Sequence, residues 1–281
     1  MNLSLFRTIT IFDVGQQLIG LRNLKLCCHY KLHPTSKCHQ SRLFINTSTS
    51  LLNHSINATE SMEPKGTTIV VEGNIGSGKT TVIELLRQKG KAAFIAEPVK
   101  KWTNLNGENL LQKLYEDPKR WSFMFQQYVY LTMAQNHEKA RKKEGITIME
   151  RSIHSARNVF IENLKNRQLI TKPEYEVLDS WYNHLASTPG YTPKSYIYVK
   201  SDPELCLQRI KSRNRPEEAS IDIDYLKGLH TLHQSWLVPK CKHCSHHKKM
   251  HASTIVVNNS GDKDALVAEL EKASAKIFGQ E

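Results

Sequence analysis

The stretch GNIGSGKT, residues 73–80, has the residue types and spacing that best define a chemistry. It fits the pattern G-x-x-x-x-G-K-[ST] at every fixed position, and it lies between an apolar run and the segment TVIELL. Glycines let such a loop aim backbone N–H groups at phosphate oxygens, and a following helix adds the positive end of its dipole. We therefore expect a nucleoside triphosphate here, with Lys79 at the β and γ phosphates and the Thr80 hydroxyl on Mg²⁺. The predicted phosphate-binding residues of this loop are Gly73, Asn74, Ile75, Gly76, Ser77, Gly78, Lys79, Thr80 and Thr81.

Two acidic residues stand at the ends of later apolar runs, Glu97 in AEPVKKW and Glu150 in ITIMERS. Open α/β sheets bind ligands at the carboxyl ends of their strands. Glu97 in that position can accept the proton of an attacking hydroxyl, and a solvated strand-end carboxylate is the alternative. Glu150 is expected to serve the Mg²⁺ side of the site with Thr80. Arg151 either steers the transferred phosphoryl group or holds Glu97, unless the two form a purely structural ion pair.

A third cluster of charged residues lies in LQRIKSRNRPEE, which contains Arg209, Arg213 and Arg215. Arg209 and Arg213 are four residues apart and share one helix face, and Pro216 is predicted to end that helix. Clustered guanidinium groups neutralise charge that develops on a transferred phosphoryl group. We predict an arginine-rich lid at about residues 209–220, and a solvated basic helix end is the alternative.

The elements that position these residues follow from the apolar pattern. Continuous β-branched runs, rather than alternating ones, predict buried strands of a parallel sheet covered on both faces. Helical stretches separate the runs, so the pattern predicts an α/β domain over residues 65–281 with a five-stranded parallel sheet flanked by helices. The predicted strands are residues 67–73, 92–97, 146–150, 195–200 and 254–258, and the main predicted helices begin near Lys79, Pro118, Asp202 and Asp262.

Length and composition limit the classes of function. The 281 residues suffice for one substantial α/β domain or two small ones. The net charge of +12 suits an anionic partner, but no aromatic–basic pattern indicates nucleic-acid binding. No run approaches the roughly 20 apolar residues of a membrane span, so no membrane partner is expected. Six cysteines in a chain of this length do not form a dense disulfide framework, so reduced thiols are expected.

Residues 1–64 lack periodicity and are rich in Ser, Thr, Asn and His. Residues 1–60 contain six Lys or Arg residues and only two acids. This composition resembles a mitochondrial transit peptide and predicts a mitochondrial location. An ordinary disordered extension is the alternative, and translation from Met62 would give a cytosolic or nuclear form without the leader.

The segment CKHCSHHKKMH lies within an insertion at about residues 240–251. Its C-x₂-C pair and histidines suit tetrahedral Zn²⁺, although the histidine spacing is shorter than in common zinc modules. A solvated insertion without metal stays open as the alternative. The candidate zinc ligands are Cys241, Cys244, His247 and His251.

Together these segments resemble the deoxyribonucleoside kinase family. The shared features are the phosphate loop, EPV followed by Trp, the helix containing Arg-Trp-Ser-Phe and Gln, the ERS triplet, and the arginine-rich segment ending in EE. They extend over residues 67–238 and the last strand and helix, and MERSIHSAR and WLVPK most resemble mitochondrial thymidine kinases and related insect enzymes. The resemblance implies a P-loop kinase fold with an arginine-rich lid, and Mg²⁺-dependent transfer of the ATP γ-phosphate to a deoxyribonucleoside 5′-hydroxyl. The insertion and Pro216 depart from the family pattern.

The resemblance also implies roles for individual side chains. Glu97 would be the general base, and Arg151 would act beside it near the phosphoryl group. Gln126 would read the base edge with its amide, because an amide both donates and accepts hydrogen bonds. Phe160 would stack on the base, and Trp102 would wall the pocket. The sugar 3′-hydroxyl would be held by Tyr115 and Glu218. The full implied nucleoside pocket is Glu97, Trp102, Tyr115, Gln126, Val129, Met133, Arg151, Ala156, Phe160 and Glu218.

Specificity rests on two positions of this pocket. A cytidine-preferring member of the family carries Arg and Asp where this chain has Met133 and Ala156, and Val129 adds to the apolar wall. The uncharged wall leaves space for the thymine methyl group, which predicts a kinase for thymidine and deoxycytidine, with other deoxynucleosides as further candidates. The resemblance further implies a homodimer and feedback inhibition by a deoxynucleoside triphosphate. The alternatives are a nucleoside monophosphate kinase and a catalytically idle P-loop module that binds nucleic acid.

Overall fold

The computed structural model describes residues 63–90, 92–238 and 252–278. All of them belong to one compact unit, Ala58–Glu281. Most of the predicted leader and all four candidate zinc ligands lie outside the described residues, so both interpretations stay predictions. None of the helices in the described ranges is long and apolar enough to span a membrane.

The predicted five-stranded parallel sheet is confirmed, and its strand order is β2-β3-β1-β4-β5. Strand β2 ends two residues earlier than predicted, because Ala96 and Glu97 leave the sheet as the chain turns at Pro98. Glu97 therefore projects from a loop at the carboxyl edge. The strands are β1 (Gly66–Gly73), β2 (Ala92–Ile95), β3 (Gly145–Glu150), β4 (Ser195–Lys200) and β5 (Ser253–Asn258).

Helices connect the parallel strands and cover both faces of the sheet. The first four α-helices are α1 (Lys79–Lys89), α2 (Val99–Trp102), α3 (Leu110–Glu116) and α4 (Pro118–Arg141). Next come α5 (Ile153–Ser155), a π-helix (Ala156–Ile161), α6 (Glu162–Asn166) and α7 (Lys172–Ala186). The last elements are α8 (Pro203–Arg213), a 3₁₀ turn (Pro216–Glu218), α9 (Ile223–Leu237) and α10 (Lys263–Phe278).

Helix α8 shows which local signals decided its ends. Asp202 caps its N-terminus by accepting a hydrogen bond from the Glu204 N–H, and Pro203 occupies the first helical position, as predicted. The predicted end at Pro216 was wrong. Asn214 stops the helix after Arg213 by adopting a left-handed conformation with φ of 50°, and its N–H bonds to the Ile210 carbonyl at 3.1 Å. Asparagine tolerates this conformation, so a helix can end here without the proline.

The core lies on both faces of the sheet, which explains the continuous apolar runs. Val71, Ile148 and Ile197 pack on one face with α1 and α10. Val70 and Met149 pack on the other face with Leu237 of α9. This packing fixes the carboxyl ends of β1 and β3 next to each other, where the predicted site residues emerge.

Candidate active site

One cavity of about 1370 Å³ opens at the carboxyl ends of the strands. All ten residues of the predicted nucleoside pocket line it. Most of the predicted phosphate-binding residues line it as well, including the three arginines of the predicted lid. Gly73, Asn74 and Ser77 are instead buried within the loop itself. The structure therefore brings the two halves of the predicted site into one space.

The phosphate loop requires its glycines. Gly73, Gly76 and Gly78 have φ of 150°, 74° and 91°, values that residues with a side chain rarely adopt. A Cβ at Gly76 would lie 2.5 Å from the Cys206 carbonyl oxygen, so a side chain there is also excluded by packing. The Lys79 Nζ donates to the carbonyl oxygen of Asn74 at 2.9 Å and lies 3.3 Å from that of Gly73. Burial, aided by Arg151, lowers the pKa of Lys79 to about 8.

The predicted Mg²⁺ ligands meet at the first turn of α1. The Thr80 Oγ1 and the Glu150 Oε1 lie 3.5 Å apart, Thr80 in an exposed position. Hard cations such as Mg²⁺ prefer oxygen donors and commonly use one or two protein ligands together with substrate phosphates. Among the described residues no group of three or more His, Cys, Asp or Glu side chains forms a metal cage. A hydroxyl and a carboxylate beside the phosphate loop fit a Mg²⁺ that is shared with a nucleotide.

The partly buried Glu97 and the buried Arg151 form an ion pair, with 2.9 Å between the Glu97 Oε1 and the Arg151 Nε. Burial raises the pKa of Glu97, and the charges of Arg151 and Lys79 offset part of that rise. The Arg151 side chain is 5% exposed, and its guanidinium lies 4.7 Å from the Phe160 ring centre. Its Nε–H does not point at the carboxylate, so the Nε and Nη1 atoms have no hydrogen-bond partner within the described residues. These buried donors are equipped to bind phosphoryl oxygens.

The wall of the predicted base pocket is formed mainly by α4. Gln126 is buried, and its Oε1 accepts no hydrogen bond from any described residue. Trp102 is held by a 2.9 Å hydrogen bond from its Nε1 to the Thr132 hydroxyl. Val129, Met133 and Ala156 supply a buried, uncharged surface. An amide with an unused acceptor beside an apolar surface suits the recognition of a base edge.

Phe160 reaches the pocket from the π-helix Ala156–Ile161. π-helices are rare and frequently occur at functional sites. Arg157 of this segment donates a hydrogen bond to Asp179 of α7 at 2.7 Å and another to Glu162, the first residue of α6, at 2.8 Å. These bonds hold the π-helix against α7. The local geometry therefore places Ala156 and Phe160 on the same wall of the cavity.

The predicted lid divides into two parts. Glu218 is buried and accepts hydrogen bonds from Arg213 at 2.6 Å and from Arg215 at 3.4 Å. Tyr115 lies near this group, and burial raises its pKa, with Tyr225 and Glu218 adding to the effect. Arg209 instead contacts the phosphate loop and Asn259, so it holds the loop in place. Its guanidinium donates to the carbonyl oxygens of Gly76 at 3.4 Å and Ser77 at 3.3 Å, and to the Asn259 Oδ1 at 3.0 Å.

Sequence reasoning missed several residues at the site. Tyr225 of α9 and Asn259 after β5 both line the cavity. Asn259 directly follows a strand, so the strand-end rule that selected Glu97 and Glu150 would have found it. Tyr225 follows the helix cap Asp222, but no sequence signal indicates the direction in which its side chain points. Glu72 was missed because it lies within the apolar run of β1 and not after it, and in the fold it has no exposed surface.

Comparisons with known proteins agree with this geometry. Residues 69–275 match the family model described as deoxynucleoside kinase. The human protein named thymidine kinase 2, mitochondrial, is 39% identical over 179 residues, which are 64% of this chain and 67% of that protein. Mouse deoxycytidine kinase is 34% identical over 194 residues, which are 60% of this chain and 75% of that protein. Because the match to the family model extends over residues 69–275, most of the sequence, the chain belongs to the deoxynucleoside kinase family.

Proposed function

We propose that this kinase transfers the γ-phosphate of ATP to the 5′-hydroxyl of thymidine and deoxycytidine, and so serves nucleotide salvage. One observation carries the base assignment. The buried Gln126 amide has an unused acceptor within the uncharged wall formed by Val129, Met133 and Ala156. An amide can match the donor and acceptor pattern of either pyrimidine by rotating half a turn. The relatives named thymidine kinase and deoxycytidine kinase support the same pair of substrates.

The catalytic roles follow from the positions of the charges. Glu97 accepts the proton of the 5′-hydroxyl, and its raised pKa makes the carboxylate a stronger base. Arg151 and Lys79 neutralise charge on the transferred phosphoryl group, and Arg213 and Arg215 add to this from the lid. Thr80 and Glu150 would hold Mg²⁺, which supplies positive charge against the phosphate oxygens when bound. Catalysis is then mainly positioning and charge neutralisation.

A panel of acceptors tests this function against its alternatives. The protein is given ATP and Mg²⁺ with thymidine, deoxycytidine, deoxyadenosine, deoxyguanosine or thymidine monophosphate. We expect turnover of thymidine and deoxycytidine. Turnover of the monophosphate alone would establish a nucleoside monophosphate kinase. Absence of turnover, combined with DNA binding that weakens steeply with salt, would establish the idle nucleic-acid-binding module.

The base pocket gives a prediction about specificity. Met133 is 1% exposed on the uncharged wall, so Met133→Arg fills the space that the thymine methyl group would use. We expect kcat/KM for thymidine to fall about 10- to 100-fold more than kcat/KM for deoxycytidine, the range that one methyl group can discriminate. The two values are measured by steady-state kinetics. Gln135→Arg on the exposed side of α4 is the matched control, and equal losses on both nucleosides would refute the assigned wall.

We also propose a homodimer formed through α4 and α7. These helices pack together, and four of their large apolar side chains are exposed. Such side chains on neighbouring helices are suited to bury against a second copy. The exposed side chains are Met124, Leu131, Val177 and Trp181.

Charge on this face should break the dimer. Trp181 is 48% exposed, so Trp181→Glu should leave the fold intact while placing a carboxylate in the proposed interface. We expect sedimentation velocity to show a dimer for the wild type and a monomer for the variant. Val256→Glu, at an exposed apolar residue of β5, is the matched control and should stay dimeric. A monomeric wild type, or an unchanged mass for Trp181→Glu, contradicts the proposal.

Feedback inhibition by a deoxynucleoside triphosphate is part of the same proposal. The nucleoside pocket and the phosphate loop line a single cavity. A deoxynucleoside triphosphate can therefore place its base in the first and its phosphates in the second. We expect such a ligand to compete with both ATP and the nucleoside.

We further propose a mitochondrial location. It is supported by the composition of residues 1–60 and by the human and macaque relatives, both named as mitochondrial. Import of the full chain into isolated mitochondria, compared with a chain started at Met62, tests this location. Equal import of the two chains would refute a role for the leader.

A further inference from the structure

A buried carboxylate lies behind the cavity, where the sequence analysis assigned no role. Glu72 belongs to β1, the central strand of the sheet, and directly precedes Gly73 of the phosphate loop. Its side chain has no exposed surface, and it is not among the residues that line the cavity. It therefore cannot act by touching a substrate.

Glu72 contacts the turn that follows β3. The Ser152 hydroxyl donates to the Glu72 Oε1 at 2.7 Å. The same hydroxyl oxygen accepts the backbone N–H groups of His154 at 3.2 Å and Ser155 at 3.3 Å. A serine hydroxyl has one proton and two acceptor positions, so all of its capacity is used and its proton is committed to Glu72. The carboxylate thereby fixes the residue that follows Arg151.

Arg151 itself has a backbone conformation that needs such support. Its φ is 59°, in the left-handed region that is unfavourable for an arginine. A strained residue of this kind persists only where its surroundings hold it on both sides. The Arg151 N–H donates to the Val71 carbonyl oxygen at 3.0 Å, and Glu72, the next residue of β1, holds Ser152. Strand β1 therefore holds the turn at Arg151 through two consecutive residues, Val71 and Glu72.

The burial of the Glu72 carboxylate is also energetically unfavourable. Burial raises the pKa of Glu72 to about 7, although the charge of Arg151, the hydroxyls of Ser152 and Ser155 and the charge of Lys79 counteract the rise. Its Oε2 has no hydrogen-bond partner among the described residues. A buried carboxylate with an unused oxygen is destabilising, so its presence at this joint calls for an explanation beyond packing.

We propose that Glu72 is a positioning residue, which accepts the Ser152 hydroxyl and so holds the Arg151 guanidinium at the site of phosphoryl transfer. The inference rests on the proposed function, since it assigns Glu72 to the step in which Arg151 stabilises the transferred group. Because Glu72 acts through Arg151, its loss should lower kcat rather than weaken nucleoside binding.

A double-mutant cycle with Ser152 tests this inference. We expect Glu72→Ala and Ser152→Ala each to lower kcat for thymidine about 10- to 100-fold, the loss typical of a misplacement near 1 Å. The thymidine KM should stay within about twofold, and the double variant should be no slower than the slower single variant, as for residues that act as a unit. Glu72→Gln keeps an acceptor oxygen and should restore most of kcat.

Thr147→Val is the matched control for loss of a buried polar group. Thr147 lies on β3, is 1% exposed, and its hydroxyl lacks a partner among the described residues. We expect this variant to keep wild-type kcat. Thermal unfolding of every variant shows which ones fold. If Glu72→Ala does not fold, Ser152→Ala and Glu72→Gln still test the positioning role. Ser152→Ala should lower kcat, whereas Glu72→Gln should keep most of it.

The outcomes separate this inference from the proposed function. Suppose that the wild type phosphorylates thymidine, but Ser152→Ala keeps full kcat or the losses in the double variant are additive. Either result overturns the positioning role of Glu72 and leaves the proposed function intact. A rise in the thymidine KM at unchanged kcat also overturns that role. A wild type that phosphorylates no deoxynucleoside overturns both.

Discussion

Glu97→Gln should lower kcat for thymidine and deoxycytidine about 10²- to 10⁴-fold, the contribution typical of a general base. The amide keeps the size of the side chain and can still lie beside Arg151, but it cannot take the proton of the 5′-hydroxyl. KM for the nucleoside should change little, because the pocket walls are untouched. Steady-state kinetics with ATP in excess measures both values. Glu116→Gln, an exposed carboxylate next to Tyr115 in sequence, is the matched control and should keep wild-type kcat.

The pH dependence provides a second signature of the same residue. Glu97 can act as a base only when it is deprotonated, and burial raises its pKa above the ordinary 4.5. For the wild type, kcat/KM should therefore fall as pH decreases through this raised pKa. The residual activity of Glu97→Gln should lack that acid limb. A Glu97→Gln variant with kcat within tenfold of wild type, and with the limb intact, would remove Glu97 from the role of base.

Arg151→Met should lower kcat about 10³-fold or more, comparable to the loss of an arginine that stabilises a phosphoryl-transfer transition state. The side chain is buried and its Nε and Nη1 donors are unused within the described residues, so methionine removes charge and donors together. The change also removes the charge that contributes most to lowering the pKa of Glu97, so the acid limb should move to higher pH. A pH–rate profile of the variant measures both effects.

Glu97 and Arg151 should act as a unit in catalysis. We expect Glu97→Gln combined with Arg151→Met to be far less damaging than the product of the single effects, because each partner depends on the other. Arg120→Met at the exposed start of α4 is the matched control for loss of an arginine. If Arg151→Met kept kcat within tenfold of wild type, stabilisation of the phosphoryl group would belong to Lys79 and the lid instead.

The sequence predicted those features whose rules depend on local spacing. The glycine pattern around Lys79 fixed the phosphate loop, and apolar runs fixed the strands, so the sheet was correct within two residues at each strand end. The position of Glu97 and Glu150 after such runs was enough to place both at one edge of the sheet. In a parallel sheet the carboxyl ends of all strands share that edge.

The remaining features depend on where side chains point in three dimensions. The helix pattern grouped Arg209 with Arg213, but only packing against the phosphate loop shows that Arg209 braces Gly76 and Ser77. The apolar run of β1 gave no reason to single out Glu72, since its partner Ser152 lies 80 residues away in the chain. The end of α8 at Asn214 was missed because a left-handed cap is a weaker sequence signal than a proline.

The decisive measurement is the phosphorylation of thymidine and deoxycytidine by ATP, first singly and then in mixtures, with the products identified by ³¹P NMR. We expect 5′-monophosphates of both nucleosides. We also expect mutual competition, in which each nucleoside inhibits the other with a constant equal to its own KM, because both use the pocket of Gln126 and Met133. Phosphorylation at another position, or additive rates in the mixtures, would contradict the assignment of one uncharged pocket beside Glu97.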